Sequence, residues 1–281
     1  MTPRPLAQRR RLPRTDHGRD FVDYGVSDQL GFPDPFLVLS DFQMSRAYFP
    51  PHPHAGFSVM TYLFEDSPGA FINRDSFGDR RRIEAGALHW TQAGRGLQHE
   101  EVPEQEGQRC HGLQMWVNHA DRDRLAEPAR FHVSADQVPE VRPAAGVRVR
   151  VLVGEAFGVR AAFEPLLPIH FLDVFVAPGA TLYYPSAAPT ALVVLVAGSA
   201  HAGNQLLEAH DVVTFGPAGG TLALQGGEAG GQFLLGTGQP FQEPIAFGGS
   251  FVMSTTNQLT DAKQRFSRGE MSALAPSVVF R

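Results

Sequence analysis

Residues 51–57 of the chain read PHPHAGF, and the two histidines in this stretch are the starting point for interpreting the rest. His52 and His54 are two residues apart, so on a β-strand both imidazoles point to the same face and can reach one metal ion. A single His-x-His pair arises by chance in many chains that contain 11 histidines, so alone it indicates little more than two ordinary histidines. Whether this pair indicates a metal site depends on a second pair of the same kind.

That second pair follows about 45 residues later, in residues 94–101, which read GRGLQHEE. His99 and Glu101 also share one face of a strand, while Glu100 between them points to the other. Gly94 and Gly96 predict a tight backbone corner that brings this strand inward. The separation of the two pairs suits the strands and turns of a small barrel.

Taken together, His52, His54, His99 and Glu101 would supply three imidazoles and one carboxylate. This donor set suits Fe(II), and Mn, Ni, Cu or Zn are also compatible with the ligand types. Four protein ligands leave about two positions open on an octahedral ion, one for a substrate and one for dioxygen or water. The set therefore predicts a catalytic metal centre rather than a closed structural one.

The composition favours a protein made of short strands. Glycine and proline supply 29 and 22 of the 281 residues, more than a helical protein tolerates. Strand-like runs are predicted at Phe36–Leu39, Ser58–Phe64, Leu88–Thr91, Leu113–Val117, Val147–Val153, Phe171–Val176, Ala191–Val196, Val212–Phe215, Thr221–Leu224 and Gln232–Leu235. Turn clusters such as Gly226-Gly227 are predicted to separate them. Strands at this spacing indicate an all-β sandwich or barrel.

The two halves of the chain have the same order of predicted elements, a strand, a turn, a second strand and a glycine-containing loop. This repetition indicates two domains. A Pro- and Ala-containing connection at residues 138–145 puts the predicted boundary near residue 140. Residues 1–140 would form a barrel that carries the metal ligands. Residues 141–281 would form a second barrel, in which the histidine spacing shows no metal site.

One helix is predicted near residues 257–268, within the second of these domains. Its N-terminal cap would be Thr255, Thr256 or Asn257, and Gly269 would end it. Its apolar stripe is predicted to pack on a barrel and consists of Leu259, Ala262 and Phe266.

Charge and cysteine content exclude several classes of protein. The net charge of −5 argues against general nucleic-acid binding, and no apolar run reaches the roughly 20 residues of a membrane-spanning helix. The single Cys110 cannot form an intrachain disulfide, which favours a reducing compartment and a cytoplasmic location. The first 20 residues hold six arginines and two aspartates without an apolar segment, so we expect a frayed basic arm rather than a secretory signal.

Common catalytic motifs are missing from the sequence. It contains no GK[ST] of a P-loop, no GxSxG of a nucleophile elbow and no GxGxxG of a dinucleotide fold. Lys263 is the only lysine, which argues against Schiff-base catalysis.

The motifs resemble those of the pirins, a branch of the cupin superfamily. Residues 51–57 look like the family's HPHxGF strand, and further matches follow in the same order: Arg74-Asp75-Ser76, Gln92-Ala93-Gly94-Arg95-Gly96, His99-Glu100-Glu101 with Pro103, and Gly112-Leu113-Gln114-Met115-Trp116-Val117-Asn118. Residues 251–255, FVMST, followed by the predicted helix, are similar to the family's closing segment. The resemblance spans most of the chain and is most specific between residues 51 and 118.

This resemblance implies an all-β bicupin, in which two cupin-type β-barrels (double-stranded β-helices) pack face to face and a short helix lies near the C-terminus. Only the N-terminal barrel would hold metal, usually iron, and the family's ligands map onto His52, His54, His99 and Glu101. Several pirins are known as quercetin 2,3-dioxygenases, which open a flavonol ring with O₂ and release carbon monoxide. Others are described as regulators that bind partner proteins.

The chain departs from the family pattern at three positions. Asn73 stands where many members have a histidine, His89 where a glutamine is common, and Ala55 where arginine is frequent. None of the three is a metal ligand, so iron binding is still expected. We expect these changes to alter the rim of the pocket and the choice of substrate.

The first functional hypothesis is an iron-dependent dioxygenase acting on a flavonol or a similar aromatic enol and on O₂. Glu101 would be both a metal ligand and the carboxylate that takes the hydroxyl proton. Phe57, Trp90 and Trp116 are candidates for the pocket lining, although core packing is the simpler role.

The alternative hypothesis is a non-catalytic, metal-binding regulator that senses redox state and acts through a protein partner. The sequence does not separate the two, because both use the same ligands. A bicupin isomerase would fit the fold but not the motifs HPHAGF and GRGLQHEE.

Overall fold

The computed structural model describes residues 2–26 and 32–278. The first twelve strands are β1 (Leu6–Arg11), β2 (Arg14–Asp16), β3 (Phe21–Val26), β4 (Phe36–Met44), β5 (His52–His54), β6 (Phe57–Leu63), β7 (Phe71–Asp75), β8 (Arg80–Ile83), β9 (Leu88–Gln92), β10 (Leu97–Pro103), β11 (Cys110–Asn118) and β12 (Ala129–Val133). A short 3-10 turn at Asp121–Asp123 precedes β12.

The remaining strands are β13 (Glu140–Ala144), β14 (Val147–Val153), β15 (Glu155–Ala156), β16 (Val159–Arg160), β17 (Ile169–Val176), β18 (Thr181–Ser186), β19 (Thr190–Ala202), β20 (Gln205–Glu208), β21 (Asp211–Phe215), β22 (Gly220–Gly238), β23 (Ala246–Phe247) and β24 (Val252–Met253). The helix α1 spans Thr256–Ser267. The chain forms the cupin-type fold with two domains that the sequence predicts.

The first compact unit, called the first barrel below, comprises Arg14–Phe32, Phe36–Asp136 and Phe241–Arg281. Its strands form a seven-stranded sheet in the order β12-β9-β6-β11-β4-β3-β2 and a four-stranded sheet in the order β5-β10-β7-β8. Thr61 on β6 and Gln114 on β11 both donate hydrogen bonds to Glu101 on β10. The two sheets therefore face each other across the interior, and the Glu101 side chain of β10 points into it.

The second compact unit, called the second barrel below, comprises Met1–Pro13, Pro33–Pro35 and Gln137–Pro240. Its main sheet runs β1-β21-β19-β22-β17-β14-β13, with β18 paired to β22 and β20 to β19. The interior is filled by apolar side chains with no exposed surface, among them Val149, Leu172, Val193 and Phe233. β-Branched and aromatic residues of this kind pack well on a pleated, buried surface, which accounts for the long strands here.

The division into domains differs from the predicted one at both ends of the chain. The units change over at Asp136 and Gln137, close to the predicted residue 140. However, the first 13 residues belong to the second barrel, and residues 241–281, which include α1, belong to the first. The reason is pairing between distant segments, because β1 pairs with β21 and the amide of Val252 donates to the carbonyl oxygen of Ala55 (3.0 Å).

The N-terminal segment is ordered, so the expectation of a frayed basic arm is wrong. Strand β1 pairs antiparallel with β21. Arg9 forms an ion pair with the buried Asp211 at 2.7 Å. Arg4 is also buried and donates to three carbonyl oxygens, those of Gly216, Ala188 and Pro189. These arginines therefore satisfy buried acceptors instead of forming a solvated arm.

The ten predicted strand runs fall on observed strands, but the predicted turn at Gly226-Gly227 is wrong. Both glycines lie inside β22, which joins two of the predicted runs. A Cβ at Gly226 would overlap the carbonyl oxygen of Ala177, and one at Gly227 would overlap the side chain of Ser199. The glycines therefore mark a close approach between neighbouring strands and not a chain reversal.

The helix lies within one residue of its predicted bounds. Thr255 caps it, with a reciprocal capping box between Thr255 and Gln258. Leu259 and Ala262 are buried, while Phe266 is partly exposed. Within the described part of the chain, neither this 12-residue helix nor any other helical segment has the length and apolar character needed to cross a membrane.

Candidate metal centre

Two short strands of the first barrel bring three histidines together. Strands β5 and β10 pair antiparallel, with His99 directly opposite His52 and Leu97 opposite His54. The ring centroids of His52, His54 and His99 lie 4.7–4.8 Å from one another. One nitrogen from each ring lies within 4.8 Å of those of the other two. Three imidazole nitrogens at this separation can bind a single ion.

The ring orientations suit metal binding because each Nδ1 is already engaged. Nδ1 of His52 lies 2.9 Å from the carbonyl oxygen of Pro50, and Nδ1 of His54 lies 3.4 Å from that of Ser250. A carbonyl oxygen only accepts, so both Nδ1 atoms donate, and each Nε2 keeps a free lone pair. This is the usual orientation of histidines that ligate metals.

His99 is held in a similar way by a side chain. Its Nδ1 lies 3.2 Å from Oδ1 of Asn73, which is fully buried on the neighbouring strand β7. Among the described residues, Nε2 of His54 and Nε2 of His99 are buried without a hydrogen-bond partner. Leaving two buried nitrogens unpartnered is costly, so these atoms fit a bound cation.

Glu101 is on the same strand as His99 and two residues further on. Its Oε2 accepts hydrogen bonds from Oγ1 of Thr61 (3.1 Å) and Nε2 of Gln114 (2.9 Å). Its Oε1 is buried and has no partner among the described residues. Burial raises the pKa of this carboxyl to about 7, against the lowering effect of the two hydrogen bonds. One oxygen is therefore fixed, and the other is available to a cation or a proton.

Burial also affects the histidines. It lowers the pKa of His52, and it lowers the pKa of both His54 and His99 well below the ordinary value of 6.5. The neighbouring imidazoles add to the effect at His54 and His99. All three rings are therefore neutral near pH 7, which is the form that ligates metals.

The glycines of the two motifs allow backbone segments to approach closely. Gly94 has φ +50° and Gly96 has φ +129°, as expected for the corner before His99. A Cβ at Gly94 would overlap the carbonyl oxygen of Ala126. Gly56 has φ +88°, and a Cβ there would overlap the carbonyl oxygen of Val252. Only glycine fits such positions without strain.

A buried arginine connects the closing segment to the PHPHAGF stretch. Arg124 is 1% exposed and donates to the carbonyl oxygens of Gly56 (3.0 Å) and Val252 (3.2 Å). The same closing segment supplies the Ser250 carbonyl that orients His54. Arg124 could not be predicted from the sequence, because no neighbouring residue distinguishes it from a surface arginine.

A cavity of about 490 Å³ opens beside the histidines and lies entirely within the first barrel. His52, His54 and Glu101 line it on one side. The rest of its wall is mainly apolar and is formed by Phe21, Phe42, Met44, Phe49, Phe71 and Trp116. An apolar cavity with a few convergent polar groups is the usual form of a small-molecule site.

The aromatic residues singled out in the sequence have different roles. Trp116 lines the cavity, and its ring lies 5.2 Å from that of His54. Phe57 is fully buried behind it, 4.4 Å from the Trp116 ring. Trp90 belongs to the buried core. His17, which the sequence did not single out, lines the cavity and stacks on Phe21 at 4.4 Å.

The three departures from the family pattern do not lie at the pocket rim, so that expectation is wrong. Asn73 is buried behind His99 and orients its ring. His89 is buried beside His132, and Ala55 packs in the cluster that contains Phe251. None of the three is among the described residues that line the cavity.

Comparison with known proteins gives consistent results over most of the chain. The pirin family model matches residues 8–117, and the model of the pirin C-terminal cupin domain matches residues 171–272. A pirin-like protein of Arabidopsis thaliana is 34% identical over 246 residues, covering 83% of this chain and 78% of its own. Human pirin is 32% identical, covering 82% of this chain and 80% of its own.

A similar solved structure is that of quercetin 2,3-dioxygenase from Acinetobacter baumannii. It superimposes with a TM-score of 0.86 at 25% sequence identity, covering 97% of this chain and 99% of its own.

Proposed function

Because this chain belongs to the pirin family, we propose that it is an iron(II)-dependent dioxygenase that opens the ring of a quercetin-type flavonol with O₂. The observation that carries the proposal is the group of His52, His54 and His99 beside a largely aromatic cavity of about 490 Å³, which His52, His54 and Glu101 help to line. The structural similarity to a quercetin 2,3-dioxygenase supports the same substrate class.

The residues at the site suit such a reaction. His52, His54 and His99 would hold the metal through their Nε2 atoms, with Oε1 of Glu101 as the fourth protein ligand. A bound divalent metal would supply a Lewis acid for the flavonol hydroxyl and a template for O₂. The donor set of nitrogen and oxygen suits iron(II) among the first-row metals.

Glu101 is suited to accept the proton of the flavonol 3-hydroxyl. In the metal-free protein burial raises its pKa to about 7, so Glu101 can hold a proton near neutral pH when it is not bound to the metal. Thr61 and Gln114 hold Oε2, so the proton would move from the hydroxyl oxygen to Oε1 of Glu101 once Oε1 has left the metal on substrate binding. The apolar wall of Phe42, Phe71 and Trp116 would orient the flat rings and exclude water.

The test is oxygen uptake by anaerobically iron-loaded protein on addition of quercetin. We expect uptake that requires quercetin and that is lost in a His52→Ala variant but kept in a His132→Ala control, since His132 lies outside the three-histidine group. Absence of uptake from protein with iron bound stoichiometrically would overturn the proposal. That result would favour the non-catalytic regulator that responds to redox state through a protein partner.

A further inference from the structure

A row of polar side chains crosses the seven-stranded sheet beneath the cavity. Thr61 on β6 pairs with Gln114 on β11, which pairs with Ser40 on β4, which pairs with Gly25 on β3. Neighbouring strands are about 4.8 Å apart, so Ser40 lies about 10 Å from the strand of Thr61. The row begins at Glu101, which binds Thr61 and Gln114, and leads away from the metal centre.

The far end of this row carries a second carboxylate, that of Asp23. Oγ of Ser40 donates to Oδ1 of Asp23 at 2.5 Å, and both residues line the cavity. Gly25 leaves the space that the carboxylate occupies, because a Cβ there would lie 2.9 and 3.0 Å from the two Asp23 oxygens. The hydrogen bond from Ser40 and the space left by Gly25 therefore fix the position of the Asp23 carboxylate.

The surroundings of Asp23 are those of a ligand site rather than of a surface ion pair. The described residues that line the cavity include no lysine or arginine, and the charged groups that act on Asp23 are His17, which lines the cavity, and Asp41, which does not. Phe21, on the same face of β3, also lines the cavity and stacks with His17, and its ring lies 4.9 Å from that of the exposed Tyr48. Burial raises the pKa of Asp23, against the effects of Ser40 and His17.

We propose that Asp23, positioned by Ser40, binds a hydroxyl group on the part of the substrate remote from the metal-bound enol. An ionised carboxylate only accepts hydrogen bonds, so its natural ligand here is a phenolic O–H and not a carbonyl or an ether. The apolar wall between Glu101 and Asp23 accommodates the aromatic rings that join the two ends. The inference rests on the proposed function and narrows its substrate to polyhydroxylated flavonols.

The test measures binding separately from turnover. Quercetin and 3-hydroxyflavone, which has the enol hydroxyl alone, are titrated into protein loaded with redox-inert Zn(II), with Trp116 in the cavity wall as the fluorescent reporter. We expect wild type to bind quercetin at least about 10-fold more tightly than 3-hydroxyflavone, as a hydrogen bond to a charged group requires. Asp23→Ala should weaken quercetin binding about 10-fold and leave 3-hydroxyflavone within about twofold.

A matched control is available elsewhere in the first barrel. Asp136 also accepts a serine hydroxyl, from Ser134, but this pair is exposed and lies outside the cavity. Asp136→Ala should change neither affinity. Asp23→Asn keeps the shape of the side chain and serves as the test if Asp23→Ala fails to fold. It should weaken the binding of quercetin but not that of 3-hydroxyflavone.

The inference would be overturned if the Asp23 variants weakened the binding of both ligands equally, or weakened neither. Oxygen uptake is measured in parallel on iron-loaded protein. If uptake is absent while the Asp23-dependent discrimination in binding remains, the proposed dioxygenase function fails and the binding site at Asp23 stands.

Discussion

Oδ1 of Asn73 lies 3.2 Å from Nδ1 of His99, so an amide on strand β7 orients an imidazole on strand β10. The contact is fully buried, and it leaves Nε2 of His99 facing His52 and His54. Asn73 is one of the three positions at which the sequence departs from the expected family pattern. We therefore expect metal binding at His99 to depend on Asn73, although Asn73 is not itself a candidate ligand.

We predict that Asn73→Ala lowers the affinity for Fe(II) about 10–100-fold, because the His99 ring loses the acceptor that orients it. Asn73→Asp keeps an oxygen at the same position and should retain most of the affinity. Anaerobic titration with Fe(II), or with Co(II) as a spectroscopic substitute, measures both variants. Equal affinities for wild type and Asn73→Ala would contradict this role.

Removal of a candidate metal ligand should reduce iron binding more than Asn73→Ala does. We predict that His99→Ala leaves most of the protein without iron, since three histidines converge on the site and the other two cannot replace the missing donor. Iron content is measured after anaerobic loading and desalting. His132→Ala is the control, because His132 lies on β12 outside the group. Iron content equal to wild type in His99→Ala would refute the assignment of the site.

The raised pKa of Glu101 makes the stability of the metal-free protein depend on pH. The folded-state pKa is about 7 against an ordinary value of 4.5, so the folded state holds a proton that the unfolded state releases. Its contribution to stability is therefore fully present below pH 4.5 and is lost as the pH rises to about 7. The shift corresponds to about 3 kcal/mol.

Glu101→Gln cannot ionise at this position. As the pH rises from 4 to 8, we therefore expect its free energy of unfolding to increase by about 3 kcal/mol relative to that of wild type. Urea unfolding of the metal-free proteins at the two pH values measures the difference. Glu106→Gln serves as the control, because Glu106 is an exposed residue paired with Arg46. Parallel pH profiles for wild type and Glu101→Gln would show that the carboxyl pKa is not raised.

Loss of the Arg124 side chain should destabilise the first barrel. Arg124→Ala leaves the buried carbonyl oxygens of Gly56 and Val252 without their donor, at a cost of about 2–4 kcal/mol. Chemical denaturation measures the change, with the exposed Arg122→Ala as control. A loss of less than about 1 kcal/mol would mean that water satisfies these carbonyls.

Much of the candidate site follows from local sequence. The alternation of side chains along a strand places His52 with His54 and His99 with Glu101, whatever the rest of the chain does. The glycines at 56, 94 and 96 indicate close backbone approaches, and all three have positive φ. The helix near residue 257 was predictable for the same reason, since its cap and its apolar stripe are both short-range features.

The parts that escaped prediction depend on pairing between segments far apart in the sequence. The carbonyl that orients His54 belongs to Ser250, 196 residues away, and the carboxylate at the far end of the cavity belongs to Asp23. The predicted domain bounds put both terminal segments in the wrong domain, because β1 pairs with β21 and Phe251 of the closing segment pairs with Ala55.

The sequence by itself therefore determined the strand-rich fold, the candidate metal donors and the strand face on which each of them lies, since these depend on residue type and a period of two. Only the tertiary structure decided which acceptor fixes each imidazole, which side chains line the cavity and where its second carboxylate stands. Those relationships depend on the register between strands, which long-range packing sets and which no local pattern encodes.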